Sequence, residues 1–339
     1  MLVRRLGPRR LVGLWLFLIV AACAAFIASL LVGSTSIPTS TVLEVLAGRG
    51  DAGTRTIVLE LRLPRAVAAF AVGGGLAAAG AAYQALFRNA LADPYIIGAS
   101  GGASVGAVLV IVFGGTVAVG AFGPTAVGAF LGCLLTVGFV YVAAAMGRRS
   151  SSTLLLFGVI VGTMLGGVVW LLMALADENL TRIIGWLMGG FGSVRWDTTM
   201  LLVPVVVLGI SVLLAVARPL DALAQGDDEA RSLGLSIGRL TLLILLTSSA
   251  MVGLAVATAG AIGFIGLAAP QAARLLVGAS HARVIPTAVL IGGLLLLLAD
   301  LVARSAIPPL ELPVGVVTAL IGGPLFLLLL RKQTDGGVR

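Results

Sequence analysis

Few residues in this chain could perform chemistry, and they are widely separated. The single histidine, His281, is predicted to be an isolated loop residue. Cys23 and Cys133 lie far apart within apolar runs, which predicts two buried side chains rather than a metal site or a disulfide framework. No segment has the Gly-x-x-x-x-Gly-Lys-Ser/Thr pattern whose backbone cradles ATP phosphates. The sequence therefore argues against an enzyme and predicts no bound metal or cofactor.

The arginines near the ends of apolar runs are the first polar cluster. Arg62 and Arg65 flank Pro64 at the start of one run, and Arg304 follows Asp300 by one helical turn near the end of another. A guanidinium group binds a carboxylate in a bidentate fork, so these arginines could receive the acidic groups of a partner. Alternatively, they reach lipid phosphates. An i,i+4 ion pair with Arg304 accounts for Asp300, the only acid inside a predicted membrane span.

Two further polar clusters lie between apolar runs. Residues 84–94 form a turn in which Asn89, Asp93 and Pro94 separate two runs, as such residues commonly do. In the segment 226–234, three acids precede an arginine, and a glycine ends the segment. Acids at the start and glycine at the end are typical of a short helix. The residues alone predict that this helix is solvated.

The elements that position these clusters are membrane helices. Hydrophobic residues make up 59% of the chain and charged residues 11%, against roughly 45–50% and 25% in soluble domains. The predicted class is therefore an all-α integral membrane protein, with residues 1–339 as one transmembrane domain. Apolar runs predict about ten spans, near 11–32, 63–86, 94–113, 116–146, 153–175, 198–217, 239–259, 261–279, 284–303 and 313–330.

The topology follows from the number of spans and the position of the basic residues. An even number places both termini on one side, and with that side cytoplasmic, 15 of the 22 Lys and Arg residues are inside. This positive-inside pattern explains the net charge of +8 better than nucleic-acid binding does. The longer polar segments are 33–61 and 176–197 outside and 218–238 inside. Residues 180–192 are predicted to form a short interfacial helix.

The order of the spans also predicts an internal symmetry. Spans 2–5 and 7–10 form two sets of four, and their odd separation gives the sets opposite orientations, so an inverted repeat is predicted. Glycines at small-xxx-small spacing, such as Gly158, Gly162 and Gly166, predict close helix packing in lipid.

Longer motifs run through most of the chain. They are Arg62-Leu63-Pro64-Arg65 and the segments 84–94, 98–103, 226–234, 260–271, 299–304 and 311–318. Together they resemble the FecCD-type, BtuC-like permease subunits of type II ATP-binding-cassette (ABC) importers, over about Arg62 to Leu330. The chain departs from the usual family pattern at Ala90, where proline is common, and at Gln271, where histidine is common.

The resemblance implies a role for several residues. The arginines that match those facing a periplasmic substrate-binding protein are Arg62, Arg65 and Arg304, all outside in the predicted topology. The segment that matches the coupling helix docked on the ATPase is Gly226, Asp227, Asp228, Glu229, Ala230, Arg231, Ser232, Leu233 and Gly234. The positions that match the cytoplasmic gates are Asn89, Leu91, Ser151 and Ser152, although ordinary turn and capping roles also fit these residues.

The resemblance also implies the assembly and the activity. It predicts a permease in the bacterial inner membrane with both termini cytoplasmic, paired with a second copy of itself, two ATP-binding subunits and a periplasmic binding protein. ATP is then used by the partner subunits only. Spans 5 and 10 would line the pathway at the dimer axis. The expected cargo is a bulky iron chelate, either a ferric siderophore or haem, and cobalamin (vitamin B12) is the alternative.

Two other classes of protein fit the sequence less well than an ABC permease does. A proton- or sodium-coupled secondary transporter normally needs acids within its spans, and Asp300 alone satisfies that condition. A membrane enzyme needs a nucleophile, paired carboxylates or a metal cluster, and the sequence shows no such group of residues.

Overall fold

The structure is a computed structural model that describes residues 7–33, 35, 37–114, 117–119, 122–145, 151–176 and 178–335. Within these residues the chain is helical, and a π-helical segment, Thr56–Arg62, leads directly into α4. The α-helices in chain order are α1 (Pro8–Leu31), α2 (Thr39–Leu46), α3 (Ala52–Arg55), α4 (Leu63–Leu86), α5 (Ala99–Phe113), α6 (Pro124–Ala145), α7 (Ser151–Ala174), α8 (Leu180–Leu187), α9 (Trp196–Ala215), α10 (Ala217–Gln225), α11 (Asp227–Ser232), α12 (Ile237–Ala259), α13 (Ile265–Val277), α14 (His281–Ser305) and α15 (Val314–Asp335).

The predicted membrane spans are confirmed as helices. Among the described residues, seven helical segments are long and apolar enough to cross a membrane, and α5, α13 and α15 are shorter apolar helices. These ten coincide with the ten predicted spans. Helix α8 occupies the first part of the predicted interfacial helix 180–192 and ends at Leu187.

The start of α4 is distorted by its proline. Pro64 has no N–H to donate, and its ring would clash with the carbonyl one turn earlier in a regular helix. The preceding residues, Thr56–Arg62, adopt wider π-helical turns, and the N–H of Leu63 donates to the carbonyl of Val58. The helix continues through the proline and carries Arg62 and Arg65 at its N-terminal end.

The contacts between helices follow the symmetry of an inverted repeat. Within the first set of four, α5 packs on α6 and α7, and within the second set α13 packs on α14 and α15. Between the sets, α4 packs on α13 and α14 as α12 packs on α5 and α6. Each of these neighbours in one set therefore has its counterpart in the other, as the order of the spans predicts.

Helix α4 is the centre of the bundle, and its small residues allow close packing. Its most apolar stretch is almost fully buried. Gly73 faces the backbone of Gly292 on α14, and Gly80 faces the backbone of Gly266 on α13, so closely that a β-carbon would clash with a carbonyl oxygen. Backbones that approach this closely gain dispersion contacts that lipid cannot supply.

Helices α5 and α13, two of the shorter apolar helices, each begin directly after a residue with positive φ. Gly98 (φ 79°) precedes α5, and Phe264 (φ 69°) precedes α13. The two connecting segments meet where the Tyr95 hydroxyl donates to the Ile262 carbonyl (3.1 Å) and lies 3.3 Å from the Ile262 N–H. Non-helical backbone at membrane depth requires such protein partners, because lipid provides none.

One cysteine prediction is confirmed and the other is wrong. Cys133 on α6 is buried, as expected. Cys23 is exposed, because α1 lies at the edge of the bundle and most of its side chains face outward.

Candidate functional site

Where the N-terminal end of α4 meets the C-terminal end of α14, Asp300 is a hub for two arginines. Arg65 donates to the fully buried Asp300 from Nε (3.0 and 3.1 Å) and from Nη2 (2.9 Å). Its Nη1 donates to the exposed Glu311 (2.9 and 3.2 Å). Arg304 lies one turn beyond Asp300, with Nε 3.7 Å from Oδ2. The predicted i,i+4 pair is confirmed, but Arg65 is the better-placed partner.

Two arginines, Arg62 and Arg304, also bind carbonyl groups at the C-terminal end of α1. Arg62 donates to the carbonyls of Leu30 (2.7 Å), Leu31 (3.2 Å) and Thr35 (2.5 Å). Arg304 donates through Nη2 to the carbonyl and hydroxyl of Ser29 (2.6 and 2.5 Å). The last carbonyls of a helix have no partner within the helix, so these guanidinium groups satisfy oxygens that would otherwise be unpaired.

This geometry corrects one expectation about the predicted docking arginines. Arg62 and Arg65 were expected either to receive the carboxylates of a partner or to reach lipid phosphates, and Arg304 was expected to pair with Asp300. Arg62 and Arg304 are instead 5% and 2% exposed and bound within the chain, while Arg65 is mostly buried between two carboxylates. The sequence could not show this, because the carbonyls of α1 and the carboxylate of Asp300 come from distant parts of the chain. A direct role in docking stays a prediction.

A cavity of about 580 Å³ opens beside Arg65. It lies among the start of α6, helix α8, the end of α12 and the segment before α15, and its walls carry Arg182, Glu311 and Thr258. Arg182 is exposed, as are Arg49, Arg55 and Arg195. These arginines belong to none of the motifs above, so no pattern in the sequence distinguished them as accessible cations.

The predicted gate residues lie at two helix ends. Asn89 accepts a hydrogen bond from the N–H of Leu91 (2.9 Å), which makes a tight turn after α4, and the Leu91 side chain is 48% exposed. Helix α7 begins at Ser151, and Ser152 in its first turn is exposed. The side chain of Ser151 lies outside the described residues.

The predicted coupling segment 226–234 is a short exposed helix next to this turn. Helix α11 begins after Gly226 (φ 150°) and ends before Gly234 (φ 75°). Ala230 is buried, whereas Leu233 is 63% exposed at the tip. Arg88, in the turn after α4, donates to Asp227 at the start of α11 (3.0 Å). The gate turn and the coupling segment are therefore joined.

The interpretation of His281 as an isolated loop residue is wrong. It is the first residue of α14 and is 2% exposed. Its Nδ1 lies 2.5 Å from Oδ1 of Asp221 on α10, and its Nε2 lies 3.4 Å from Nη2 of Arg274 on α13. Asp221 is 60 positions away in sequence, so no spacing rule could have paired the two residues.

Two carboxyl groups, one in the turn after α4 and one on α10, have shifted pKa values. Burial raises the pKa of the Asp93 carboxyl to about 6, against a smaller lowering by the N–H of Tyr95. Burial also raises the pKa of Asp221, but hydrogen bonds from the side chain and backbone of His281 outweigh it and leave that pKa below its usual value.

A second cavity, of about 840 Å³, lies between α5 and α7. Gly98, Gly158 and Gly162 leave room for it, and Trp170 and Met173 form part of its largely apolar wall. The described residues contain no cluster of three His, Cys, Asp or Glu side chains that could hold a metal ion.

Comparison with known proteins agrees with this architecture. The FecCD transport family matches residues 18–332. The Cobalamin import system permease protein BtuC of Halobacterium salinarum is 43% identical, over 82% of this chain and 74% of the relative. The Hemin transport system permease protein HmuU of Yersinia pestis is 39% identical (82% and 84%), and the Molybdate import system permease protein MolB of Haemophilus influenzae is 34% identical (98% of both).

A solved structure extends the match to the fold. It is an ABC transporter assigned to the metal-chelate type, in an inward-facing conformation, with a TM-score of 0.82 and 33% identity. The alignment covers 96% of this chain and all of the other. Together with the family match, this shows that the chain belongs to the FecCD transport family and is the membrane-spanning permease of a BtuC-type ABC importer.

Proposed function

We propose that this permease moves a bulky metal chelate, either a ferric siderophore or haem, from the periplasm to the cytoplasm by alternating access. Two copies of the chain form the pathway, with both termini cytoplasmic. Separate ATP-binding subunits supply the energy, and a binding protein delivers the cargo at the outer face. In the family, permeases work with both of these kinds of partner.

The junction between gate turn and coupling segment is the observation that carries this proposal. Arg88 follows α4, the central helix, and its bond to Asp227 connects that helix to α11. The exposed Leu233 offers an apolar contact at the tip of α11, where docking on an ATPase subunit would bury it. A force applied to α11 by the ATPase therefore has a short route to the gate.

Docking through Leu233 is tested with Leu233→Asp. The charge prevents burial of this side chain, so the variant should lose its ATPase subunits on purification while the permease itself stays folded. Leu46→Asp is the matched control, because Leu46 is 53% exposed on α2 at the opposite face. If Leu233→Asp retains its ATPase subunits as fully as Leu46→Asp does, the docking site lies elsewhere.

Pairing of two copies is supported by the two helices at the ends of the repeated sets. Helix α7 exposes most of its apolar surface, including Leu156, Met164 and Trp170, and its counterpart α15 exposes Leu320 and Leu327. These are predicted spans 5 and 10, the proposed lining of the pathway. Cross-linking of single cysteines on α7 between two copies tests the pairing, and a monomer in native mass spectrometry contradicts it.

We propose that the binding protein docks at Arg65. Arg62 and Arg304 stabilise the structure around Arg65 by binding the end of α1. Arg65 shares its guanidinium between buried Asp300 and exposed Glu311, so a partner carboxylate can take the place of Glu311. Arg65→Gln should then weaken binding of the loaded protein, and Glu311→Gln should preserve or strengthen it. Equal affinities for these two variants contradict a docking role for Arg65.

The cargo is tested through the cognate binding protein. Relatives of this chain are named for cobalamin, hemin and molybdate, so the cargo cannot be copied from any one of them. The absorption spectrum of the binding protein purified from cells distinguishes a Soret band (haem), a corrin spectrum (cobalamin) and a broad charge-transfer band (ferric siderophore). A colourless protein that contains molybdenum contradicts the proposed chelate.

A further inference from the structure

Helix α10, which precedes the coupling segment, is attached to the bundle by the partly exposed carboxylate of Asp221. Asp221, on α10, accepts hydrogen bonds from the backbone N–H of His281 (2.8 Å), from its ring Nδ1 (2.5 Å) and from the hydroxyl of Ser280 (3.2 Å). Ser280 is the N-cap of α14 but does not cap the helix with its own side chain. Asp221 supplies that cap from another helix.

The same histidine continues the chain of contacts into the bundle. Arginine can only donate, so the contact of Arg274 with Nε2 of His281 needs a free lone pair on Nε2 and places the ring proton on Nδ1, facing Asp221. Arg274 also donates to the side chain of Gln84 and to the carbonyl of Ala81 (3.4 Å), both on α4. One continuous polar path thus joins α10, α14, α13 and α4.

The two contacts that hold the coupling segment differ in the number of bonds and in the burial of one partner. Arg88 and Asp227 are 37% and 25% exposed and share one hydrogen bond, so water competes for their ion pair. Asp221 is 32% exposed, but it accepts three hydrogen bonds, one of them from a His281 side chain that is only 3% exposed. Gly226 lies between α10 and α11 with a φ that only glycine adopts readily. Helix α11 can therefore pivot at Gly226 while α10 stays attached to α14.

We propose that Asp221 and His281 are positioning residues that transmit nucleotide-driven movement of the coupling segment to α13 and α14. This inference rests on the proposed function, because it assumes that an ATPase binds residues 226–234. In this scheme α10 and the junction between α13 and α14 move as one body, and Arg274 passes the movement to α4. The pair Arg88–Asp227 remains the direct contact between α11 and the gate turn, and the path through Asp221 is a second route, to α13 and α14.

Hydrogen exchange in the complete permease–ATPase complex tests this inference without knowledge of the cargo. Backbone exchange is compared between the nucleotide-free state and the state trapped with ATP and vanadate, for peptides that cover 226–234 and 278–285. The variants are Asp221→Ala, which removes the acceptors, and Asp221→Asn, which keeps an acceptor of the same shape. Arg239→Ala, an exposed cation at the start of α12, is the control.

In the wild-type complex both peptides should respond to nucleotide. In Asp221→Ala the response of 226–234 should persist, while that of 278–285 falls by about tenfold, the effect of losing one or two charge-assisted bonds. Asp221→Asn and Arg239→Ala should keep both responses. A purely structural role raises exchange equally in both nucleotide states.

Two results overturn the inference. One is an unchanged nucleotide response of 278–285 in Asp221→Ala, and the other is a wild-type complex in which 278–285 never responds although 226–234 does. Failure of the proposed function looks different, because the wild-type chain would then bind no ATPase subunit and residues 226–234 themselves would show no response.

Discussion

Removing the carboxylate of Asp300 should destabilise the permease more than any loss of an exposed ion pair. Asp300 is fully buried and receives three hydrogen bonds from Arg65, while Arg304 approaches to 3.7 Å. Each bond to a charged group contributes about 1.5–3 kcal/mol, but desolvation of the charges offsets much of the sum. Breaking a buried pair by deleting one partner costs about 3–5 kcal/mol, because the remaining charge stays buried. We expect that loss for Asp300→Ala.

The assay is the free energy of unfolding of the purified permease in mixed detergent micelles. Glu311→Gln is the matched control, since it removes the other carboxylate bound to Arg65 at an exposed position and should cost about 0–1 kcal/mol. The double variant Asp300→Ala/Arg304→Ala should recover part of the loss, because it also removes a stranded charge. If Asp300→Ala lowers the free energy of unfolding by no more than Glu311→Gln does, Asp300 is not the hub of the two arginines.

Three further predictions concern packing, titration and a single hydrogen bond. Gly80→Ala should lower the free energy of unfolding by about 1–3 kcal/mol, because the added β-carbon meets a carbonyl of α13. Gly138→Ala is the control and should be tolerated, because its β-carbon meets nothing among the described residues. The same unfolding assay checks both variants. The raised pKa of Asp93 means that the folded state keeps the carboxyl proton to a higher pH than the unfolded state does, so stability should fall as pH rises from about 4 to 6. Asp93→Asn should flatten this dependence of stability on pH in thermal unfolding. An unchanged dependence contradicts the prediction. Trp196→Phe removes the bond from Nε1 to the carbonyl of Leu59 (2.7 Å) and should cost about 0.5–1.5 kcal/mol, and no loss of stability contradicts that assignment.

The helices could be predicted because the bilayer imposes their length and composition. Ten apolar runs became ten helices, and the two predicted sets of four spans correspond to α4 to α7 and α12 to α15, whose helix contacts are similar. The starts of α5 and α13 were less well predicted, five and four residues later than expected. Apolar residues there form the segments that meet at Tyr95 and Ile262, and hydropathy does not distinguish them from helix.

The polar contacts could be predicted only where the partners are close in sequence. The pair Asp300–Arg304 follows from helical spacing, and the tight turn at Asn89 follows from residue type. The contacts of Arg62 with α1 and of Asp221 with His281 join residues 31 to 60 positions apart. Tertiary packing decides such pairs, and the sequence did not predict that Arg62 would be buried against the end of α1.

ATP dependence of uptake in proteoliposomes tests the central claim most directly. The chain is reconstituted with its ATPase subunits, and cargo uptake is measured with the loaded binding protein outside and ATP inside, with and without proton and sodium gradients. We predict uptake that requires ATP, is stimulated by the binding protein and is indifferent to collapse of either gradient. Uptake driven by a gradient in vesicles that contain this chain alone would contradict the account.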